Sequence, residues 1–123
     1  MNTWLAIAAV NGALAVAAGA FAAHGLSERL GTHALATFET GARYHMYHAL
    51  AMGLAAIGLR GRSARAATWS AWLFLAGIVL FCGSLYLLAL TEQRVFAFVT
   101  PAGGLAFLAG WAMLAIAAAR VEP

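Results

Sequence analysis

The side chains able to do chemistry in this chain are gathered in one place: residues 19–50 hold all four histidines, two of the four glutamates and two of the three tyrosines. Tyr44 and His48 stand four residues apart, on one face of a helix, and His24 closes the apolar run before them. One reading is a polar site of two imidazoles and a phenol, since ionisable groups inside a membrane are costly and mark function by default. The other is an interhelical network in which each imidazole meets a carbonyl or a Tyr oxygen. The lack of an acidic partner beside either histidine favours the network. His45 and His48, with His24 or His33, would supply the three imidazoles of a catalytic zinc site. They diverge by about 60° around a helix, and the Glu-x-x-His spacing of carboxylate-bridged sites is absent. No metal, haem or other cofactor is expected.

Two further arrangements lie later in the chain. Ser84 with His48 would make a hydrolytic dyad, but no Gly-x-Ser-x-Gly turn surrounds the serine, and Gly83 and Ser84 read better as small packing residues, with Tyr86 just beyond them. Thr100, Pro101, Gly103 and Gly104 read as a helix start, with a cap and a proline at the first helical position. A buried start of this kind meets anionic or carbonyl groups, and resembles the broken helices of transporters if residues 95–99 dip inward. An ordinary cap with glycines for close packing is the simpler account. Neither Lys nor Asp occurs, which removes the P-loop lysine, Schiff-base chemistry and aspartyl phosphorylation. Cys82, the single cysteine, has no intrachain partner.

The elements that must position these residues are membrane helices. The chain is 64% hydrophobic and 9% charged, against about 25% charged in a soluble domain. Residues 4–23, 66–90 and 95–119 contain no charge, each about the ~20 residues needed to cross the hydrocarbon layer. A further helix is expected over 40–59, and because its uncharged run is short it must bring Arg43, His45 and His48 against the hydrocarbon. A continuous helix from near His33, capped by Thr32, with Glu39 and Arg43 as an exposed pair, provides the amphipathic lead into it. The last helix is placed at 101–119. Rows of small residues, Ala8 with Gly12, Ala15 with Gly19 and Ala23, and Ala102 with Ala106 and Gly110, suit close helix packing and self-association.

The excess of arginine is explained by topology rather than by nucleic acid. Arg60, Arg62 and Arg65 share one short loop between apolar runs, which places that loop and both termini in the cytoplasm.

Four blocks, GAFAAHGL at 19–26, RYHMYHAL at 43–50, LFCGSLYLLALT at 80–91 and TPAGGLAFLAGW at 100–111, resemble, in order, the small four-helix membrane family known as domain of unknown function 423. The resemblance implies a bacterial inner-membrane protein and no particular activity. It maps onto His24, Gly25, Tyr44, His48, Gly83, Ser84, Leu85, Tyr86, Pro101, Gly103, Gly104 and Trp111. The family pattern commonly has Gln at His45 and Ser at Cys82, so a mechanism needing either residue would not be shared.

The expectation is an all-α integral membrane bundle of four transmembrane helices forming a single domain, with the lipid bilayer as its surroundings. Its function is expected to be non-enzymatic: an accessory or packing protein, or a binding or permeation module for a lipid or small solute. The alternative is a redox component that uses the histidines for metal, haem or quinone.

Overall fold

The computed structural model describes residues 1–58 and 63–120, and every regular element among them is helical. Helix α1 (Thr3–His24) starts on Asn2, whose side-chain oxygen accepts the Leu5 N–H at 3.0 Å and so satisfies one of the free donors at a helix start. The same side chain donates to the Ala56 carbonyl at 3.2 Å. Ala56 lies near the end of α2 (Thr32–Ile57), so α1 and α2 run antiparallel. A 3₁₀ turn, Leu26–Glu28, joins them.

Helix α3 (Ala64–Gly77) continues through a π-helical turn, Ile78–Cys82, into α4 (Gly83–Thr91). A second 3₁₀ turn, Arg94–Phe98, leads to α5 (Thr100–Ala119), with Pro101 in its first turn, where a missing N–H costs nothing. The result is four helical rods, the third made of α3, the π turn and α4.

Helix α2 is the hub. It packs against α1, α3, the π turn and α4, and buries Phe38, His45, His48 and Met52 among others. A helix enclosed by neighbours can hold polar residues where lipid does not reach them. Its outward face carries Tyr47, Leu50, Leu54 and Ile57, all exposed.

Helices α3 and α5 interlock by exchanging rings for glycines. Phe107 of α5 sits where a side chain at Gly77 would be, and Phe74 of α3 lies 2.7 Å from where a Cβ at Gly110 would stand. Gly103 lies against the Phe81 backbone. Ser70 adds a buried bond to the Gly110 carbonyl at 2.9 Å. Phe74, Met52 and Cys82 form the centre of the core with Ala8, Ala51, Ile78 and Phe107.

Among the described residues, three stretches qualify as membrane spans by length and composition: Thr3–Glu28, Ala64–Thr91 and Arg94–Ala119. Helix α2 starts at Thr32, earlier than its apolar run indicates, and the expected lead-in is continuous with it. Its cap position is Gly31 rather than Thr32. The small-residue rows also differ from expectation. The buried face of α1 is Ala8, Asn11, Ala15 and Ala22, while Gly12 and Gly19 have open space beside them. On α5 the buried row is Gly103, Phe107, Gly110 and Ala117, so of the expected stripe only Gly110 lies on it. The 3₁₀ turn Arg94–Phe98 has no buried residue, so residues 95–98 do not dip inward. Arg60 and Arg62 lie outside the described residues, and Arg65 is exposed in the first turn of α3.

Candidate functional site

Among the described residues, and besides the Ser70 bond to the Gly110 carbonyl, polar residues of the interior form three further connections between helices. The longest crosses three of them. Asn11, buried on α1, donates from its amide nitrogen to the Ile7 carbonyl at 2.9 Å, which turns its oxygen toward α2. That oxygen lies 3.0 Å from His45 Nε2, and because it can only accept, the imidazole carries its proton on Nε2. His45 Nδ1 is then an acceptor, and the Tyr86 hydroxyl, 3.0 Å away on α4, donates to it. The chain therefore has one direction: Tyr86 to His45 to Asn11 to a backbone carbonyl. It ends on an amide and a helical carbonyl, neither of which passes a proton onward.

The second connection is centred on His48, one turn along α2. Its Nδ1 is 2.7 Å from the Tyr44 carbonyl, and Trp111 Nε1–H of α5 donates to Nε2 at 3.2 Å. The carbonyl only accepts and the indole only donates, so the proton sits on Nδ1 and the ring is neutral. Phe107 stacks on the imidazole with centroids 3.5 Å apart and planes at 6°, while Phe74 and Trp111 close its edges. Each nitrogen is thus occupied, and the ring is held by aromatic packing.

Ser84 and Thr100 make the third connection, joining α4 to the start of α5 through hydroxyls 2.6 Å apart. Each hydroxyl also has a carbonyl within reach on its own segment, Phe81 at 2.9 Å from Ser84 and Phe96 at 3.4 Å from Thr100, so either can donate to the other.

Of the residues singled out from the sequence, Tyr44 and His48 are brought together, by the bond to the Tyr44 carbonyl and by rings stacked with centroids 6.1 Å apart rather than by a bond from the phenol hydroxyl. Ser84 meets Thr100 and not His48. Pro101 is exposed at the start of α5, Gly103 packs on the Phe81 backbone, and a Cβ at Gly104 would stand 3.9 Å from the Phe81 ring. His24 is exposed at the end of α1 and shares no hydrogen bond with Tyr44 or His48 among the described residues. No group of three His, Cys, Asp or Glu side chains gathers there either.

Asn11, Ser70 and the inward role of Trp111 were not expected from the sequence. Asn11 carried a signal, as the one amide within the uncharged run 4–23. His45 belongs to the longest chain although the family pattern has Gln there. Glutamine offers one acceptor and one donor at similar reach, so it can serve the same two partners without a titratable group.

One cleft reaches this region from the outside. About 430 Å³ in volume, it is lined by Tyr44, Tyr47, Phe81, Phe107 and Trp111, with His48 in its wall.

A family model described as "Protein of unknown function (DUF423)" matches residues 18–104. A UPF0382 membrane protein of Staphylococcus saprophyticus is 43% identical over 98% of this chain and 100% of its own length. The UPF0382 membrane protein YwdK of Bacillus subtilis is 40% identical over 98% of both chains. The UPF0382 inner membrane protein YgdD of Escherichia coli K12 is 43% identical over 96% of this chain and 90% of its own. No solved structure matches. With the match spanning most of the chain and relatives of this similarity over nearly all of it, the protein belongs to the DUF423 (UPF0382) family of membrane proteins.

Proposed function

We propose that the chain is a non-enzymatic, four-span module of the bacterial inner membrane, an accessory or packing protein whose buried polar groups hold its helices in register. The observation that supports this is the full engagement of both interior imidazoles. Each nitrogen of His45 and His48 already has a partner that fixes a neutral tautomer, so metal ligation or proton transfer must first break a bond. In membranes such bonds contribute about 1 kcal/mol each, enough to specify register when several act together.

The fourth span in this reading is α2. At 26 residues it is about 39 Å long, more than the ~30 Å hydrocarbon layer. Its buried imidazoles, His45 and His48, face other helices, Glu39 and Arg43 lie exposed nearer its start, and its outward row of Tyr47, Leu50, Leu54 and Ile57 suits lipid. Four spans put both termini on the side of Arg60, Arg62, Arg65 and Arg120, the cytoplasm by the positive-inside tendency. Permeation finds less support, since the cleft at His48 shares no lining residue with the larger cavity at the start of α2.

The test is elemental analysis, an absorption spectrum and thermal unfolding of the protein in mild detergent, beside His24→Ala and His48→Ala. The expected result is metal-free, colourless protein that His48→Ala destabilises and His24→Ala does not. Stoichiometric metal or a Soret band lost in His48→Ala would overturn the reading in favour of a redox component.

A further inference from the structure

A cavity of about 740 Å³ opens where the start of α2, the end of α4 and the Arg94–Phe98 turn converge. Its volume lies within the roughly 300–1,000 Å³ typical of small-molecule sites. Leu88, Ala89, Ala97 and Phe98 give it an apolar wall, while Thr32, His33, Thr37, Glu92 and Arg94 bring polar groups to it. Two carry opposite full charges and stand two residues apart. The backbone draws further notice to one of them: Glu92 has φ 57°, the left-handed region that favours glycine, yet the position holds a carboxylate lining the cavity.

The cavity also lies at the ends of the helices that line it. Thr91 is the last residue of α4 and Thr32 the first of α2, so the charged groups stand where apolar helices end and the apolar wall continues along them. A lipid has that same order of parts, a charged headgroup followed by hydrocarbon. Arg94 offers a planar donor fork to a phosphate. Glu92 accepts hydrogen bonds from a primary ammonium, which a quaternary ammonium cannot donate. A purely anionic headgroup would gain from Arg94 but be repelled by Glu92.

From this we propose that the cavity binds the headgroup of a zwitterionic phospholipid with a primary amine, phosphatidylethanolamine, its phosphate on Arg94 and its ammonium on Glu92. The acyl chains leave over Leu88 and Phe98, the latter 82% exposed. The site is independent of the helix-holding role of the interior histidines.

The test uses the full chain in a neutral detergent doped with phosphatidylethanolamine, phosphatidylglycerol or phosphatidylcholine, with retained lipid counted by native mass spectrometry. Counting bound lipid keeps the result separate from any change in folding stability. Wild type is expected to retain phosphatidylethanolamine over either other lipid by about threefold or more. Glu92→Gln should bring phosphatidylethanolamine and phosphatidylglycerol to parity, and Arg94→Gln should lower retention of both. Equal retention of all three lipids by wild type, or an unchanged pattern in both variants, would overturn the proposal. If soluble glycerophosphoethanolamine competes as well as the lipid does, the occupant is a soluble phosphodiester and the lipid assignment fails.

Discussion

Replacing Asn11 by leucine, a side chain of similar size, removes the end of the three-helix chain while leaving the volume of the α1–α2 contact nearly filled. Asn11 is 9% exposed and His45 6% exposed, so water does not replace the lost partner. The direct bond is worth about 0.6–1.7 kcal/mol in a membrane protein, and the donor left on His45 Nε2 adds part of the roughly 1–3 kcal/mol cost of an unpaired buried group. Moving the proton to Nδ1 does not rescue the site, because it leaves the Tyr86 hydroxyl proton without its acceptor. The expected loss is about 1–3 kcal/mol. The assay is equilibrium unfolding in mixed micelles of mild and denaturing detergent, run as a double-mutant cycle with His45→Leu. The cycle should return a coupling of about 1 kcal/mol between the two positions. His45→Gln, which keeps a donor and an acceptor, should stay within about 0.5 kcal/mol of the native protein. Coupling indistinguishable from zero, with Asn11→Leu costing less than about 0.3 kcal/mol, would refute the chain as a holding element. A His45→Gln variant as unstable as His45→Leu would show that the imidazole itself, and not its hydrogen-bonding pattern, is required.

The glycines give a sharp contrast by the same assay. Gly103→Ala drives a Cβ into the Phe81 backbone and should cost about 1–3 kcal/mol, whereas Gly12→Ala meets open space and should be neutral or stabilising by up to about 1 kcal/mol. Equal effects at the two sites would mean that the α3–α5 approach is looser than described. For topology, in a Cys82→Ala background, single cysteines at Ser27 and Arg65 should be labelled by a membrane-impermeant thiol reagent from opposite sides, Ser27 from outside the cell. Labelling of both from one side would remove α2 as a span.

Three of the four rods were legible because their requirement is simple: an uncharged run about as long as the bilayer is thick. Helix α2 was harder to delimit for a physical reason. It sits among its neighbours, so its boundaries follow from packing and not from its own hydropathy, and its polar residues extend well into the bundle. Of the small residues on α1, spacing by four picks out the buried Ala8 and Ala15 but adds Gly12, Gly19 and Ala23, while the buried face follows Ala8, Ala15 and Ala22 at spacings of seven. His45 reads in the sequence as a departure from the family's common Gln, although what the site requires is one donor and one acceptor. Asn11 was overlooked because a lone amide has no motif; only the expense of placing it in an apolar run marks it. Nothing in the composition of residues 66–90 signals the π turn, where the Phe81 backbone meets Gly103 across helices.

That turn has a consequence for the whole third rod. A π-helical turn accommodates one residue more than an α-helix would over the same stretch, and each residue advances the helix by about 100°. The Ile78–Cys82 turn thus works as a phase adjuster between two gears. Before it, α3 is timed to mesh with α5; after it, α4 is timed to present Tyr86 to α2 and Ser84 to Thr100. A chain one residue shorter here would keep its length and hydropathy almost unchanged and still lose both engagements at once.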